Sequence, residues 1–413
     1  MSKKGILVIG LLILGLAMLV QFIFNLTNVG AEDMRLVNTN QSVSYAVDAN
    51  PLFHSNDSRL FYFVTRTGIR YINDRGENRW TEQFNFTRPH MATRGDVVAI
   101  GESDRGRNIY VYNSEGLMYY EAFQHPTLGF FINANGYLST ILQLEGGFEV
   151  LVVNQLRSFE HLFRKQIFQA DRPMEMPIAT DVSEDGRFIA IAYLDLSRHL
   201  TTAVEFWFID PNEVWGTDDG LFAQIEFPDE TFISVRFMAD NHVLLITEGR
   251  ITLQQVVGNA LQEVWTEELH NRLDQLAFYG NNRFAYVSGQ ALAPDGRYAD
   301  PLGMLNIFDL SGRTGSFPLG RRATHLTMGH NAVIVGADRH FHAVNSRGTS
   351  LWHHNATIDV RDMIFLNDTD TVLIAGANRA YVWRRQRVRD GQPLQTHEGQ
   401  NQNTRLPAYL LEC

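Results

Sequence analysis

Histidine is the chemistry-bearing residue that this sequence concentrates most. Six of the fourteen histidines fall in one short stretch: His325, His330, His340, His342, His353 and His354. Imidazole is a common transition-metal ligand, and because side chains alternate along a strand, His340 and His342 would lie on one side of it. The adjacent His353 and His354 would not share a side. No carboxylate accompanies the pair except Asp338, at the start of the same strand. This pattern favours ordinary strand histidines over a metal site.

The other groups that could catalyse a reaction lack the spacing that catalysis requires. Glu267-Glu268 and the pair Asp368 and Asp370 are expected in exposed loops, where carboxylates are usually only solvated. No G-x-x-x-x-G-K-[ST] phosphate loop and no G-x-S-x-G nucleophile elbow occurs. The only cysteine, Cys413, excludes an intrachain disulfide and a multi-thiolate metal site. We therefore expect no enzyme and no cofactor.

Composition bounds the class of protein and of partner. The chain has 413 residues, of which 45% are apolar and 20% charged, so it can bury a large core. The formal net charge of −11 argues against nucleic acid as a partner, since sequence-independent binding depends on Lys and Arg neutralising phosphates.

The N-terminal stretch predicts a membrane anchor. Gly5 to Phe24 contains one polar residue, Gln21, and a helix of that length spans the roughly 30 Å hydrocarbon core. Lys3 and Lys4 precede it, so residues 1–4 are expected in the cytoplasm, 5–24 in the cell membrane as a single-pass signal anchor, 25–33 as a linker and the rest on the extracellular side. A cleaved signal peptide is the alternative, because Val29-Gly30-Ala31 resembles a cleavage site.

The rest of the chain repeats one unit, seen most clearly from Ala332 to His354. It consists of short runs rich in β-branched and aromatic residues, separated by turn signals, and such runs predict consecutive antiparallel strands. Turn glycines recur at this scale: Gly76 and Gly116 are 40 residues apart, and Gly312 and Gly348 are 36 apart. This period is typical of the four-stranded blades of a β-propeller. Aromatic residues four positions after three of these glycines are expected to pack between blades: Trp80, Tyr120 and Trp352.

Counting innermost strands predicts eight blades, with seven as the alternative. The expected starts are Asp48, Pro89, Thr127, Glu175, Glu230, Arg272, Arg322 and Thr357. The last set is one strand short, and Met34 to Val47 has no sequential partner, so we expect this N-terminal strand to complete the last blade and remove an exposed edge. The propeller then covers residues 34–385. Residues 386–413 form a polar tail that is expected to be disordered.

Several turns resemble known propeller repeats. Asp-Arg-Gly-Glu-Asn-Arg-Trp (74–80) and Asn-Ser-Arg-Gly-Thr-Ser-Leu-Trp (345–352) resemble the pyrroloquinoline-quinone-like repeat, and Ser-Glu-Asp-Gly-Arg-Phe-Ile-Ala (183–190) is more similar to the WD40 and TolB-type repeat. The whole chain is similar to an uncharacterised family, a domain of unknown function, of membrane-anchored propellers of Gram-positive bacteria. The resemblance implies the fold. Quinoprotein dehydrogenases carry an adjacent cysteine pair that this chain lacks, so the resemblance does not imply quinone chemistry.

Two functions remain, and they differ in where polar side chains should concentrate. A membrane-tethered scaffold that binds a protein or cell-envelope partner would place them on the loops; a small-ligand sensor or enzyme would place them in the central channel. The innermost candidate strands, such as Ile233 to Phe237, are mostly apolar, which favours the scaffold. Long loops are where a rigid fold tends to keep its binding groups, and two long second-to-third-strand loops supply the expected contact residues: Arg198, His199, Asp295, Arg297, Tyr298 and Asp300.

Overall fold

Segments with apolar side chains at alternate positions form antiparallel strands, and short turns join each strand to the next. The computed structural model describes residues 34–46, 49–55, 59–103, 105–158, 160–168, 175–195, 201–210, 220–289, 303–367 and 369–387. These residues form eight antiparallel sheets of four strands each. The predicted all-β propeller of eight blades is therefore confirmed, and the alternative of seven is wrong.

The strands follow the chain blade by blade, except that the first strand, β1 (Met34–Ser44), belongs to the last blade. Blade 1 contains β2 (Leu52–Ser55), β3 (Leu60–Thr65), β4 (Gly68–Asn73) and β5 (Asn78–Gln83), and blade 2 contains β6 (Pro89–Arg94), β7 (Val97–Glu102), β8 (Asn108–Asn113) and β9 (Gly116–Ala122). Blade 3 contains β10 (Thr127–Ile132), β11 (Leu138–Leu144), β12 (Gly147–Val153) and β13 (Phe163–Phe168), and blade 4 contains β14 (Glu175–Val182), β15 (Phe188–Asp195), β16 (Thr201–Phe208) and β17 (Leu221–Phe227).

Blades 5 to 8 continue in the same way. Blade 5 contains β18 (Phe232–Phe237), β19 (His242–Thr247), β20 (Arg250–Val257) and β21 (Ala260–Glu268), and blade 6 contains β22 (Leu273–Tyr279), β23 (Arg283–Ser288), β24 (Met304–Asp309) and β25 (Gly312–Pro318). Blade 7 contains β26 (His325–Met328), β27 (Ala332–Ala337), β28 (His340–Asn345) and β29 (Ser350–Asn355), and blade 8 contains β30 (Asp362–Asn367), β31 (Thr371–Ala375), β32 (Arg379–Arg387) and β1. A short 3-10 helix, Ala239–Asn241, lies in blade 5.

The ring closes as the sequence predicts, because β1 pairs with β32 and supplies the fourth strand of blade 8. The Thr39 hydroxyl donates a hydrogen bond to the Val382 carbonyl at 2.8 Å. Leu36 is buried with side chains of blades 7 and 8, and Val43 with side chains of blades 8 and 1. This N-terminal strand thus packs blade 8 against both of its neighbours, blades 7 and 1.

The core lies between the blades. Among the described residues, eight apolar clusters each combine side chains of two neighbouring blades, and together they run around the whole ring. Full burial of an Ile, Leu or Phe side chain contributes about 2 kcal/mol. Each blade is therefore stabilised mainly by its neighbours.

Connectivity gives the disc two different faces. The segment that joins blades 1 and 2 hydrogen-bonds to the loop between the second and third strands of blade 1, since the N–H of Phe86 donates to the carbonyl of Arg66 at 2.8 Å. We call the face with these second-to-third loops and inter-blade segments the upper face. The lower face carries the first-to-second and third-to-fourth turns. In the register of blade 8, Met34 lies opposite Arg387, so β1 begins at the lower face.

Aromatic residues near the start of some fourth strands link one blade to the next. The indole N–H of Trp80 donates to the carbonyl of Ser114 in blade 2 at 2.9 Å, and Trp352 is fully buried against blade 8. The inter-blade role predicted for these two residues is confirmed. For Tyr120 it is wrong, because its side chain is 39% exposed. Tyr119 occupies the position instead, because the turn before β9 is one residue shorter than the turns before β5 and β29.

The predicted anchor, Gly5 to Phe24, lies outside the described residues. No helix within the described ranges has both the length and the apolar character needed to span a membrane.

Candidate functional site: the central channel

The innermost strands of the blades surround a channel that contains two cavities. The lower cavity has a volume of about 470 Å³ and the upper cavity about 390 Å³. Both are lined by Thr93, Arg94 and Arg236. The cavities therefore meet at two guanidinium groups.

Arg94 makes a buried bridge across the channel. Its side chain is 3% exposed; Nη2 lies 2.8 Å from Oδ2 of Asp181, and Nη1 lies 3.2 Å from Oε1 of Glu184. Nη1 also donates to the carbonyl of Phe237 at 3.1 Å. Because these partners belong to blades 4 and 5 while Arg94 ends β6 in blade 2, one side chain links blade 2 to two blades on the other side of the channel.

Main-chain donors complete the environment of both carboxylates. The N–H of Phe237 donates to Oδ2 of Asp181 at 2.7 Å, and the N–H of Ala134 in blade 3 donates to Oε2 of Glu184 at 3.1 Å. Burial alone would lower the pKa of Arg94, but the charges of Asp181 and Glu184 outweigh it and the pKa is raised. Removal of Arg94 would leave two carboxylates without their counter-ion, which is the costly way to break a buried ion pair.

Arg236, one blade away, has a different environment. Its Cζ lies 4.2 Å from the centroid of the Phe278 ring, a cation–π contact, and its Nε is buried with no hydrogen-bond partner in the described part of the chain. No ion pair joins it to a carboxylate within those residues. Burial and then the positive charge of Arg94 lower the pKa of Arg236 to about 9, although Asp181 and Glu184 oppose that shift. Arg236 is still a cation at neutral pH.

The remaining polar groups of the lower cavity are largely occupied. The ring Nε2 of His54 lies 2.8 Å from the Gly95 carbonyl, and burial lowers the pKa of His54, which favours the neutral imidazole. The Tyr62 hydroxyl donates to Oδ1 of Asp96 at 3.1 Å, and the N–H of Ser114 donates to Oδ2 at 3.1 Å. Asp96 is thus held by donors outside the cavity.

Apolar residues of three blades also line the same cavity. Its apolar members come from blades 6, 7 and 8: Leu276, Ala277, Phe278, Met328, Ile364 and Phe365. The cavity therefore offers one guanidinium beside an apolar wall.

Four consecutive innermost strands carry a bulge at the same place near the upper mouth of the channel. The register of β10 with β11 skips Leu128, that of β14 with β15 skips Ile178, and that of β18 with β19 skips Ile233; in blade 6, the register of β22 with β23 skips Asp274. A bulge re-aims the extra side chain. Leu128 and Ile233 are 42% and 40% exposed, and Ile178 and Ile233 line the upper cavity. We call these three residues the apolar rim.

The contact residues predicted from the long loops lie outside the described residues: Arg198, His199, Asp295, Arg297, Tyr298 and Asp300. The strand ends that flank them are described. Asp195 and Thr201, like Ser288 and Met304, are second- and third-strand ends at the upper face.

The histidine-rich stretch forms part of blade 7. The ring centroids of His342 and His353 are 6.5 Å apart across the strand pair, and Nδ1 of His340 lies 2.7 Å from Oδ1 of Asn355. In the described part of the chain, no group of three or more His, Cys, Asp or Glu side chains is arranged to hold a metal ion.

The channel arginines are the site residues that sequence reasoning missed. Ile233 to Phe237 reads as an apolar strand, and Arg236 is its one charged residue. The sequence signal for such a site residue is an ionisable side chain in a strand that is expected to be innermost. Such a side chain must either find a buried partner or reach the channel. Asp181 and Arg94 are also ionisable residues of innermost strands, but each strand contains a second one, Glu175 in β14 and His90 in β6.

Solved structures of similar fold have low sequence identity to this chain. BamB from Moraxella catarrhalis has a TM-score of 0.46 and 12% identity, with 84% of this chain and 99% of that chain covered. Sqt1 from Saccharomyces cerevisiae has a TM-score of 0.48 and 11% identity, with 85% and 98% covered. A functionally unknown protein from Desulfotomaculum acetoxidans DSM 771 has a TM-score of 0.46 and 14% identity, with 77% and 99% covered.

No curated protein matches the chain. A family profile does match, over residues 58–382, which include most of the sequence. By that match the chain belongs to the family of unknown function DUF5711.

Proposed function

We propose that this protein is a non-catalytic, membrane-tethered propeller that presents its upper face to a protein or cell-envelope partner outside the cell. The observation that carries the proposal is the apolar rim, Leu128, Ile178 and Ile233, built by a bulge at one position in three consecutive blades. Exposed apolar side chains that are grouped on a rigid scaffold are typical of interaction sites.

The direction of the closing strand supports the orientation. β1 begins at the lower face, where Met34 lies opposite Arg387. An anchor at residues 5–24, joined to β1 by the short linker 25–33, would hold the lower face toward the membrane. The upper face, with its rim, would then point away from the bilayer and be accessible to a partner.

The loop residues belong to the same proposed surface. Arg198 and His199 follow a second strand, and so do Asp295, Arg297, Tyr298 and Asp300; the flanking strand ends lie at the upper face. Tyr and Arg are residue types that often dominate interface energetics. We assign these loop residues to the periphery of the partner contact, and we assign the apolar rim to its centre.

Capture by crosslinking on intact cells tests the proposal. The full-length protein should recover a specific partner, and the double variant Leu128→Asp/Ile233→Asp should recover at least tenfold less of it, because two buried charges would oppose docking. Replacement of residues 290–301 by a short Gly-containing turn should also reduce capture.

The lower face supplies the matched control. Leu117 and Val257 are 48% and 44% exposed there, so Leu117→Asp/Val257→Asp changes a comparable apolar area. This control should capture the partner like the parent protein. Equal loss in both double variants, or no loss in either, would refute the assignment of the upper face.

A further inference from the structure

We propose that the lower cavity is a binding site for a small organic monocarboxylate, whose carboxylate pairs with Arg236 and whose apolar body lies on the cavity wall. This site goes beyond the proposed scaffold function and does not depend on it. Its ligand enters the channel rather than docking on the upper face.

The first argument is the contrast between two neighbouring guanidinium groups. Arg94 has two carboxylate partners and a carbonyl, whereas Arg236 has a ring contact and a buried Nε without a partner in the described residues. A partly buried guanidinium is unfavourable for folding when its Nε has no partner and the nearest carboxylates are already held by Arg94. Such a group is commonly retained where a ligand supplies the missing charge.

The second argument concerns the charge and shape of the ligand. The charged groups that act on Arg236 are Arg94, Asp181 and Glu184, and Arg94 holds both of these carboxylates; Asp96 lines the same cavity and is held by Tyr62 and Ser114. No second free cation is seen among the described residues of the cavity wall, so a monoanion suits the site better than a polyphosphate. An Arg guanidinium matches a carboxylate in geometry and can donate to both oxygens.

The third argument is the remaining wall. Leu276, Phe278 and Met328 line the same cavity as Arg236, and the volume of about 470 Å³ is within the roughly 300 to 1,000 Å³ of small-molecule sites. A ligand with a carboxylate and an apolar body can therefore pair with Arg236 and pack against the apolar residues of the cavity at the same time. The hydroxyl-bearing residues Thr93 and Thr327 lie in the same wall.

The test titrates full-length protein, solubilised in detergent, with benzoate at pH 7.5 by isothermal titration calorimetry. Benzamide, which has the same shape and no charge, and inorganic phosphate are titrated in parallel. We expect benzoate to bind at least tenfold more tightly than either. Arg236→Met should weaken benzoate at least tenfold, since it keeps the apolar stem and removes the charge.

Arg70→Met is the matched control. Arg70 also lies over a phenylalanine, with its Cζ 4.4 Å from the centroid of Phe63, but it lines a different cavity on blade 1. It should bind benzoate like the parent. Arg236→Gln, which keeps polarity and loses charge, should repeat the tenfold loss and replaces the Met variant if that one does not fold.

A thermal melt separates a ligand role from a structural one. Without ligand, Arg236→Met should melt at the parental temperature or above it, because the variant no longer partly buries a charge that lacks an ion pair. Lack of benzoate binding by the parent at about 20 mM, equal affinity for benzamide, or an equal loss in Arg70→Met would overturn the proposal. A lower melting temperature for Arg236→Met with unchanged benzoate affinity would also overturn it.

Discussion

His354 lies in the seam between blades 7 and 8, where a neutral imidazole is strongly favoured. It is 9% exposed, its ring centroid is 4.7 Å from that of Trp383, and its Nε2 is buried without a partner among the described residues. Burial, and then the neighbouring His353, lower the pKa of His354 to about 4. Protonation therefore opposes the packing of the last blade against its neighbour.

The expected consequence is acid sensitivity that His354→Leu reduces. The folded-state pKa lies below the unfolded value of about 6.5, so the stability that depends on the neutral ring is complete above pH 6.5 and is lost as pH falls toward 4. At pH 4 the loss from this residue is about 3 kcal/mol, from 1.36 kcal/mol per pKa unit. Urea unfolding from pH 7 to 4 should show a smaller decline for the variant.

His340→Leu provides the comparison. His340 is exposed on the same sheet and contacts Asn355, so its replacement should leave the acid decline unchanged. If His354→Leu declined as steeply as the parent between pH 6.5 and 4, the seam would not be the source of the acid sensitivity.

At the scale of a strand, β1 is the element on which closure depends. Leu36 is 5% exposed within the cluster of blades 7 and 8. Leu36→Ala should lower the free energy of unfolding by about 3 kcal/mol, within the usual range for a buried leucine. Deletion of residues 34–46 should lower it far more, because it also exposes the edge of β32. Denaturant titration measures both changes.

Leu117→Ala is the control for the closing strand, since Leu117 is 48% exposed and should change stability by less than about 0.5 kcal/mol. Equal effects of the two substitutions would mean that β1 contributes little to closure.

Strand positions were predictable where a turn has its own chemical signal. Gly76 and Gly348 adopt φ of +79° and +80°, a conformation that glycine favours, and the strands around them follow from alternation. The predicted innermost starts Pro89, Thr127 and Glu175 are the first residues of β6, β10 and β14. Thr357 precedes its strand, which begins at Asp362, because the inter-blade segment before it carries similar residues.

Register and the channel contacts were not predictable in the same way. The third-to-fourth turn of blade 2 is one residue shorter than that of blade 1, so a fixed distance from the turn glycine indicates Tyr120 where Tyr119 packs. The pairing of Arg94 with Asp181 joins residues 87 positions apart. This pairing depends on how the eight blades are arranged around the channel. The alternation of apolar and polar residues within one strand does not show which residues of distant blades meet there.

For the whole molecule, the proposed tether predicts the accessibility of the ring in cells. Trypsin added to intact, wall-stripped cells should digest the propeller or the residues after Arg387, because both would lie outside the membrane. Full protection of the chain in intact cells, with digestion only after lysis, would contradict the proposed topology. A protein confined to the cytoplasm in the same cells should stay intact and serves as the control for lysis.

The pairing of β1 with β32 also affects how the protein folds while it is being made. Thr39 and Val382 are separated by 343 residues, so at about 5 to 20 residues per second the first strand leaves the ribosome roughly 20 to 70 s before its partner. Throughout this interval β1 has an unpaired edge, and blade 8 cannot form. A contact of such long range slows folding more than it reduces final stability, because closure entropy grows only with the logarithm of the loop. A circular permutant that moves residues 34–46 behind Arg387 would make the last blade contiguous, and the ring could then close without waiting for its two ends to meet.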